Sequence, residues 1–225
     1  MKKNTYNLIR SKRKTLALQI KDGELTVRAP LKLSKATIDK FVASKEDWIA
    51  DKLAQSKKML EQQEAFNLTY GGTILYRGRE FAIVARQGNK TGIDSDTIFV
   101  PPGLSPDEVK DVCKRLYRRL AKNHINKRVA VLSRHMNVTP SAIRITSAKT
   151  RWGSCSSKKS VNFSWLLIMA DDDVIDYVVI HELAHITEMN HSQRFWAIVE
   201  GVLPDYRRRK ARLKELQRRL AVEDW

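Results

Sequence analysis

Residues 174–196, VIDYVVIHELAHITEMNHSQRFW, decide how the rest of the chain is read. Within them His181-Glu182-Leu183-Ala184-His185 forms an H-E-x-x-H run, and His191 follows six residues after His185. Residues four apart on a helix lie one turn apart on the same face. The imidazoles of His181 and His185 can therefore converge on one metal ion, with Glu182 projecting beside them. Val174, Ile175, Val178, Val179 and Ile180 make the approach a strongly apolar helix, the rigid and partly dry mounting that a metal site needs. Asp171, Asp172 and Asp173 supply N-cap candidates and negative charge where the helix dipole favours it. The bland alternative is two core histidines and a surface glutamate.

Two histidines leave a zinc site incomplete, because a catalytic zinc takes three protein ligands and keeps one position for water. Were the helix to continue, Glu188 would share the face of His181 and His185 while His191 rotated away. Were it to end near Asn190, a residue type that tolerates the left-handed conformation, the chain could swing His191 back toward the metal. The six-residue interval is that of the metzincin pattern, but Glu188 stands where that pattern has glycine, so the metzincin reading is not adopted. Ser192 marks a new helix start and favours His191; Glu188 is the alternative. The expected set is therefore His181, His185 and His191 on Zn2+, with Glu182 as general base. Arg151, Tyr177 and Tyr206 are candidates for stabilising an oxyanion.

Outward from this centre, residues 141–169 have strand character: Ile143–Thr146, a turn-rich stretch from Lys149 to Ser157, then a strand from Val161 to Ile168 that could present an edge to an extended peptide. Ser105-Pro106 opens a long helix to about His135, with Val109, Val112, Leu116, Leu120, Ile125, Val129 and Leu132 on one stripe and a basic remainder. After Ser192 a second short helix carries Phe195, Trp196 and Val199. Tyr206–Leu220 is an amphipathic basic helix. Upstream, three short strands (Tyr6–Arg10, Thr15–Ile20, Glu24–Ala29) surround an Asp22-Gly23 hairpin signal. Ser34 caps one helix running to about Glu64, and residues 67–100 form a second antiparallel ribbon. Pro101-Pro102-Gly103 is the best boundary, separating an N-terminal β-ribbon and helix region (1–103) from a hydrolase core with a basic C-terminal helix (104–225).

Composition narrows the class. Forty-two Lys and Arg against 25 Asp and Glu leave a net charge of +17, a positive surface that favours polyanions, nucleotides or nucleic acid, or is simply solvated. Two cysteines without C-x-x-C spacing give no disulfide framework. No apolar run approaches the roughly 20 residues that span a bilayer, and the N-terminus lacks a continuous apolar segment. A cytoplasmic protein without a membrane partner is expected; its oligomeric state is not legible.

The C-terminal half resembles the YgjP-like metallopeptidases, relatives of the SprT and WLM groups of zincins. Lys149-Thr150-Arg151-Trp152-Gly153-Ser154-Cys155-Ser156, Val161–Leu167, Tyr177–His185, Asn190-His191-Ser192 and Phe195-Trp196 carry the resemblance. It implies an α+β fold with a zincin-like C-terminal core of long helix, antiparallel sheet and H-E-x-x-H helix, preceded by a β-rich region plus helix. It also implies the same ligands and the same catalytic glutamate. A zinc-dependent peptidase acting on protein or peptide is the first expectation. A nucleoside triphosphate pyrophosphatase is the alternative, since metal-assisted attack works at phosphorus as well as carbon. A nucleic-acid-binding protein with a structural metal is disfavoured by Glu182, which such a site does not need.

Overall fold

The computed structural model describes residues 5–225, a mixed α+β chain that divides into two compact units. The first spans residues up to Phe66 and takes in Leu220–Asp224; the second spans Asn67–Arg219 with Trp225.

In the first unit, strands β1 (Asn7–Ser11), β2 (Ala17–Lys21) and β3 (Glu24–Pro30) form a sheet in the order β1-β3-β2. Asp22 and Gly23 both adopt positive φ, at 52° and 77°, which gives the hairpin turn the twist that its strands require. Alternation along β3 turns Leu25, Val27 and Ala29 inward, where they meet Ile38, Val42 and Ile49. The helix expected to run unbroken from Ser34 is in fact two helices, α1 (Lys35–Ala43) and α2 (Glu46–Ala65). Ser34 caps the first through the Thr37 amide, as expected. The break at Ser44-Lys45 involves neither glycine nor proline, and Glu46 and Asp47 restart the helix by placing acid in its first turn.

The second unit begins with the hairpin β4 (Thr73–Tyr76) and β5 (Arg79–Ala85), followed by β6 (Gly92–Ile93) and β7 (Thr97–Val100), in the order β4-β5-β7-β6. This sheet is mixed and not an antiparallel ribbon, because β7 returns parallel to β5 after the loop that contains β6. The sheet belongs with the downstream core, so the Pro101-Pro102-Gly103 stop lies inside the unit. Tyr117 donates its hydroxyl proton to the Leu75 carbonyl at 2.5 Å, and the amides of Arg77 and Gly78 donate to Ile168 and Met169.

Helix α3 (Pro106–His135) starts on a complete capping box, Ser105 with Glu108, and buries Val109, Cys113, Leu116, Tyr117, Ala121, Ile125, Val129 and Leu132 on one face. Beyond it, β8 (Ala142–Thr146), β9 (Gly153–Cys155) and β10 (Ser160–Ser164) form a sheet in the order β8-β10-β9. This sheet is also mixed where an antiparallel one was expected. The long return from Thr146 to Ser160 lets β10 lie parallel to β8, and β9 adds antiparallel on its other side. Two consequences correct the sequence reading. The strand ends at Ser164, and Trp165–Met169 form a fully buried 3-10 turn. Strand β10 is central, so the free edge beside the cleft belongs to β9.

Three helices complete the unit: α4 (Asp172–Ala184), α5 (Gln193–Val202), capped by Ser192, and α6 (Tyr206–Leu220). The start of α4 is clamped from several directions. Arg77 pairs with Asp172, Arg128 grips Asp176 with two bonds of 2.6 and 2.8 Å, and Arg212 reaches Asp171 at 2.6 Å and Asp173 at 2.5 Å. Among the described residues no helix is long and apolar enough to cross a membrane, and both cysteines are free thiols.

Candidate metal centre

Helix α4 is apolar on nearly every side: Val174, Ile175, Tyr177, Val178, Val179, Ile180 and Leu183 are all buried. Full burial of each such aliphatic side chain is worth about 1.5–3 kcal/mol, so the helix is held as a rigid post. The helical pitch carries His181 and His185 to one face, with ring centroids 5.0 Å apart. His191 joins them, its ring 4.9 Å from His181 and 4.7 Å from His185, and the potential ligand atoms of the three lie within 4.8 Å of one another.

The chain reaches this arrangement earlier than expected. Helix α4 ends at Ala184 with His185 as C-cap, and the amides of Ile186, Thr187 and Glu188 fold back onto Leu183 and Ala184. Asn190 does not use the left-handed conformation; the turn is made by these tight bonds before it. The turn also orients a ligand. His185 Nδ1 lies 3.1 Å from the Glu188 carbonyl oxygen, an acceptor, so Nδ1 carries the proton and Nε2 is left with its lone pair. Glu188 thus contributes its backbone here, and its carboxylate is not part of the histidine group.

Aromatic rings hold the triad from below. Phe195, fully buried, stacks on His185 at 4.4 Å and meets His181 and His191 edge-on at 4.9 and 4.8 Å. Trp196 stacks on His191 at 5.8 Å and on Tyr206 at 5.2 Å, and the Lys210 ammonium sits 4.8 Å above the Trp196 ring. Of the oxyanion candidates, Tyr177 packs against His181, its hydroxyl pKa pushed up to about 12 by burial first and then by Tyr206 and Glu182, so it stays protonated. Tyr206 is buried under Trp196. Arg151 is exposed and close enough to Glu182 to oppose its loss of charge.

Glu182 is 5% exposed and makes no hydrogen bond or ion pair among the described residues. Burial pushes its pKa up to about 8, with Arg151 pulling the other way. Sequence reasoning missed what stands opposite it. A methyl group on Gly153 would lie 2.5 Å from Glu182 Oε1, so β9 runs against this carboxyl and needs glycine at that position for closeness. The Trp152-Gly153-Ser154 stretch was the available signal.

The residues fit a divalent cation. The His181 pKa is lowered to about 3, by burial first and then by His185 and His191, and His191 is lowered by burial, His185 and Lys210. His181 and His191 therefore favour the neutral, ligating form. His191 Nε2 lies 3.0 Å from His181 Nε2, so one proton can satisfy that pair, while His181 Nδ1 is buried with no partner. Three imidazoles, each offering a ring nitrogen within 4.8 Å of the others, are a donor set that suits a divalent cation.

These shifts predict how the metal-free protein responds to pH. His181 resists a proton that the unfolded chain accepts, so its contribution is lost as pH falls from 6.5 toward 3. Glu182 retains a proton that the unfolded chain releases, so its contribution is present below 4.5 and lost as pH rises to 8. Between 4.5 and 6.5 the histidines and Glu182 act in opposite directions, and from 6.5 to 8 Glu182 acts alone among these groups. Denaturant unfolding of metal-free protein should show a loss of about 2 kcal/mol between pH 6.5 and 8, absent in Glu182→Gln. Equal stability of the wild type at the two pH values would contradict it.

A comparison with curated proteins returned no match. Among solved structures, the metallopeptidase zymogen of Pyrococcus abyssi abylysin is 21% identical, with 45% of this chain and 99% of that one covered at a TM-score of 0.39. The metallopeptidase zymogen of Methanocaldococcus jannaschii jannalysin is 24% identical, with 42% and 95% covered at a TM-score of 0.36. The profile of the YgjP-like metallopeptidase domain matches residues 14–216. That match runs through both compact units and takes in the whole histidine cluster, and the chain therefore belongs to the YgjP-like metallopeptidase family.

Proposed function

We propose that the protein is a zinc-dependent peptidase in which His181, His185 and His191 hold the metal and Glu182 is the general base. The observation that carries this reading is the buried, unpartnered carboxyl of Glu182 next to a cluster of three imidazoles on a family-matched metallopeptidase domain. A divalent metal at this position supplies Lewis acidity, which makes water a better nucleophile at neutral pH and a carbonyl carbon a better electrophile. Glu182 takes the proton of the attacking water on its carboxylate and passes it to the nitrogen of the departing amine. A carboxyl beside the attacking water is placed to take its proton and to hand it on to the leaving group. The free edge of β9 runs against Glu182 and supports a substrate bound as an added strand, its scissile bond beside the carboxyl. Tyr177, packed against His181 and held protonated, is the candidate donor to the developing oxyanion.

The phosphoanhydride reading finds no comparable support: five of the six arginines of α6, Arg207, Arg208, Arg209, Arg212 and Arg219, are paired with carboxylates of Glu80, Asp171, Asp173, Glu200 and Asp205 and are not gathered on a phosphate site. The purified protein, loaded with zinc and presented with peptide and nucleotide panels, should cleave peptide bonds and leave nucleoside triphosphates intact. A chelator should stop the cleavage and added zinc restore it. Triphosphate turnover with intact peptides would reverse the assignment.

A further inference from the structure

A groove of about 800 Å³ lies between the four-stranded sheet and α3, built by none of the residues around the histidine triad. Its floor is apolar: Phe99 and Leu104 on one side, Val112 and Leu116 of α3 on the other. Lys90, Arg115 and Arg119 stand around it, and no carboxylate lines it. Arg119 donates to the Thr91 carbonyl at 3.1 Å and pins the loop that carries Lys90. Among the described residues neither Lys90 nor Arg115 pairs with a carboxylate, unlike Arg207, Arg208, Arg209, Arg212 and Arg219 of α6. Cations left unpaired around an apolar floor attract a ligand that brings carboxylates together with an apolar anchor.

Single-stranded nucleic acid would use the same charges but also wants an open aromatic platform for its bases. Phe99, the one aromatic residue in the groove, is already engaged. The Arg86 guanidinium lies 3.8 Å from its ring centroid and is itself held by Asp94, and the ring lies so close over Gly92 that a methyl group there would collide with it. We propose that this groove is a docking site for an acidic peptide segment of a partner protein, with one or two apolar side chains on the floor and Asp or Glu against Lys90, Arg115 and Arg119. The site stands whether or not the triad hydrolyses peptides.

The test uses the full-length protein as its Glu182→Gln variant, so that a peptide probe survives. A fluorescent peptide with Glu and Asp flanking two leucines should bind, and its affinity should fall as salt rises. A matched peptide with lysines in place of the acids should not bind. Lys90→Glu with Arg115→Glu, two side chains that hold no structural contact, should weaken binding by roughly tenfold or more while thermal unfolding and metal content stay unchanged. Val112→Ser, which removes floor area and no charge, should weaken it by about threefold to tenfold. The proposal is overturned if the acidic peptide fails to bind, if Val112→Ser leaves its affinity unaltered, or if an oligonucleotide binds in its place and is lost in the charge-reversed protein.

Discussion

Glu182→Gln is expected to bind metal as tightly as the wild type and to hydrolyse peptides about a thousandfold more slowly. Glutamine fills the same space against Gly153 and leaves the three histidines alone, but it cannot take a proton from water. Glu182 has no hydrogen bond or ion pair to lose, and its charge is penalised by burial, so the substitution removes an electrostatic cost and breaks no contact. A fall in turnover therefore reads chemistry and not unfolding. Single-turnover rates measured beside metal content separate the two, and a variant with full metal and full activity would remove Glu182 from the mechanism.

The second large effect concerns the third ligand. His191→Ala should lower zinc affinity by more than about a hundredfold, beyond the loss expected from an outer-sphere partner. Glu188→Ala should leave it nearly unchanged. The contrast follows from what each residue offers. His191 brings a ring nitrogen 3.0 Å from that of His181, whereas Glu188 meets His185 through its backbone carbonyl, which any side chain retains. Competition against a chromophoric chelator reads both affinities without reference to catalysis. The opposite ranking would give the third position to Glu188.

Much of this site was written locally. The four-residue spacing of His181 and His185, the capping serines at 34, 105 and 192 and the Asp22-Gly23 turn all act over less than one turn of chain, and each does what its chemistry predicts. What escaped was set by partners far along the sequence. Leu166, Leu167 and Ile168 suit a buried strand as well as a buried turn; α3 and the amides of the β4–β5 hairpin make them a 3-10 turn. Parallel pairing of β10 with β8 leaves no mark in either strand's pattern, so the sequence alone does not tell the central strand from the edge strand β9. The role of Gly153 depends on Glu182, twenty-nine residues further on, and glycine in a turn-rich stretch has many ordinary explanations. Proline and glycine at 101–103 sit at a corner inside the second compact unit, whose sheet and long helix share a core across that corner.

The clamp on the start of α4 has a consequence for the order in which the centre is made. Asp171, Asp172 and Asp173 are three successive like charges, and Arg212, which neutralises two of them, lies thirty-nine residues downstream of Asp173. Trp196, the support of His191, is likewise completed by Tyr206 and Lys210 of α6. As the chain emerges during synthesis, the histidine motif exists before the residues that brace it. Full bracing arrives with the last helix, so a partly made chain carries the motif without the finished centre.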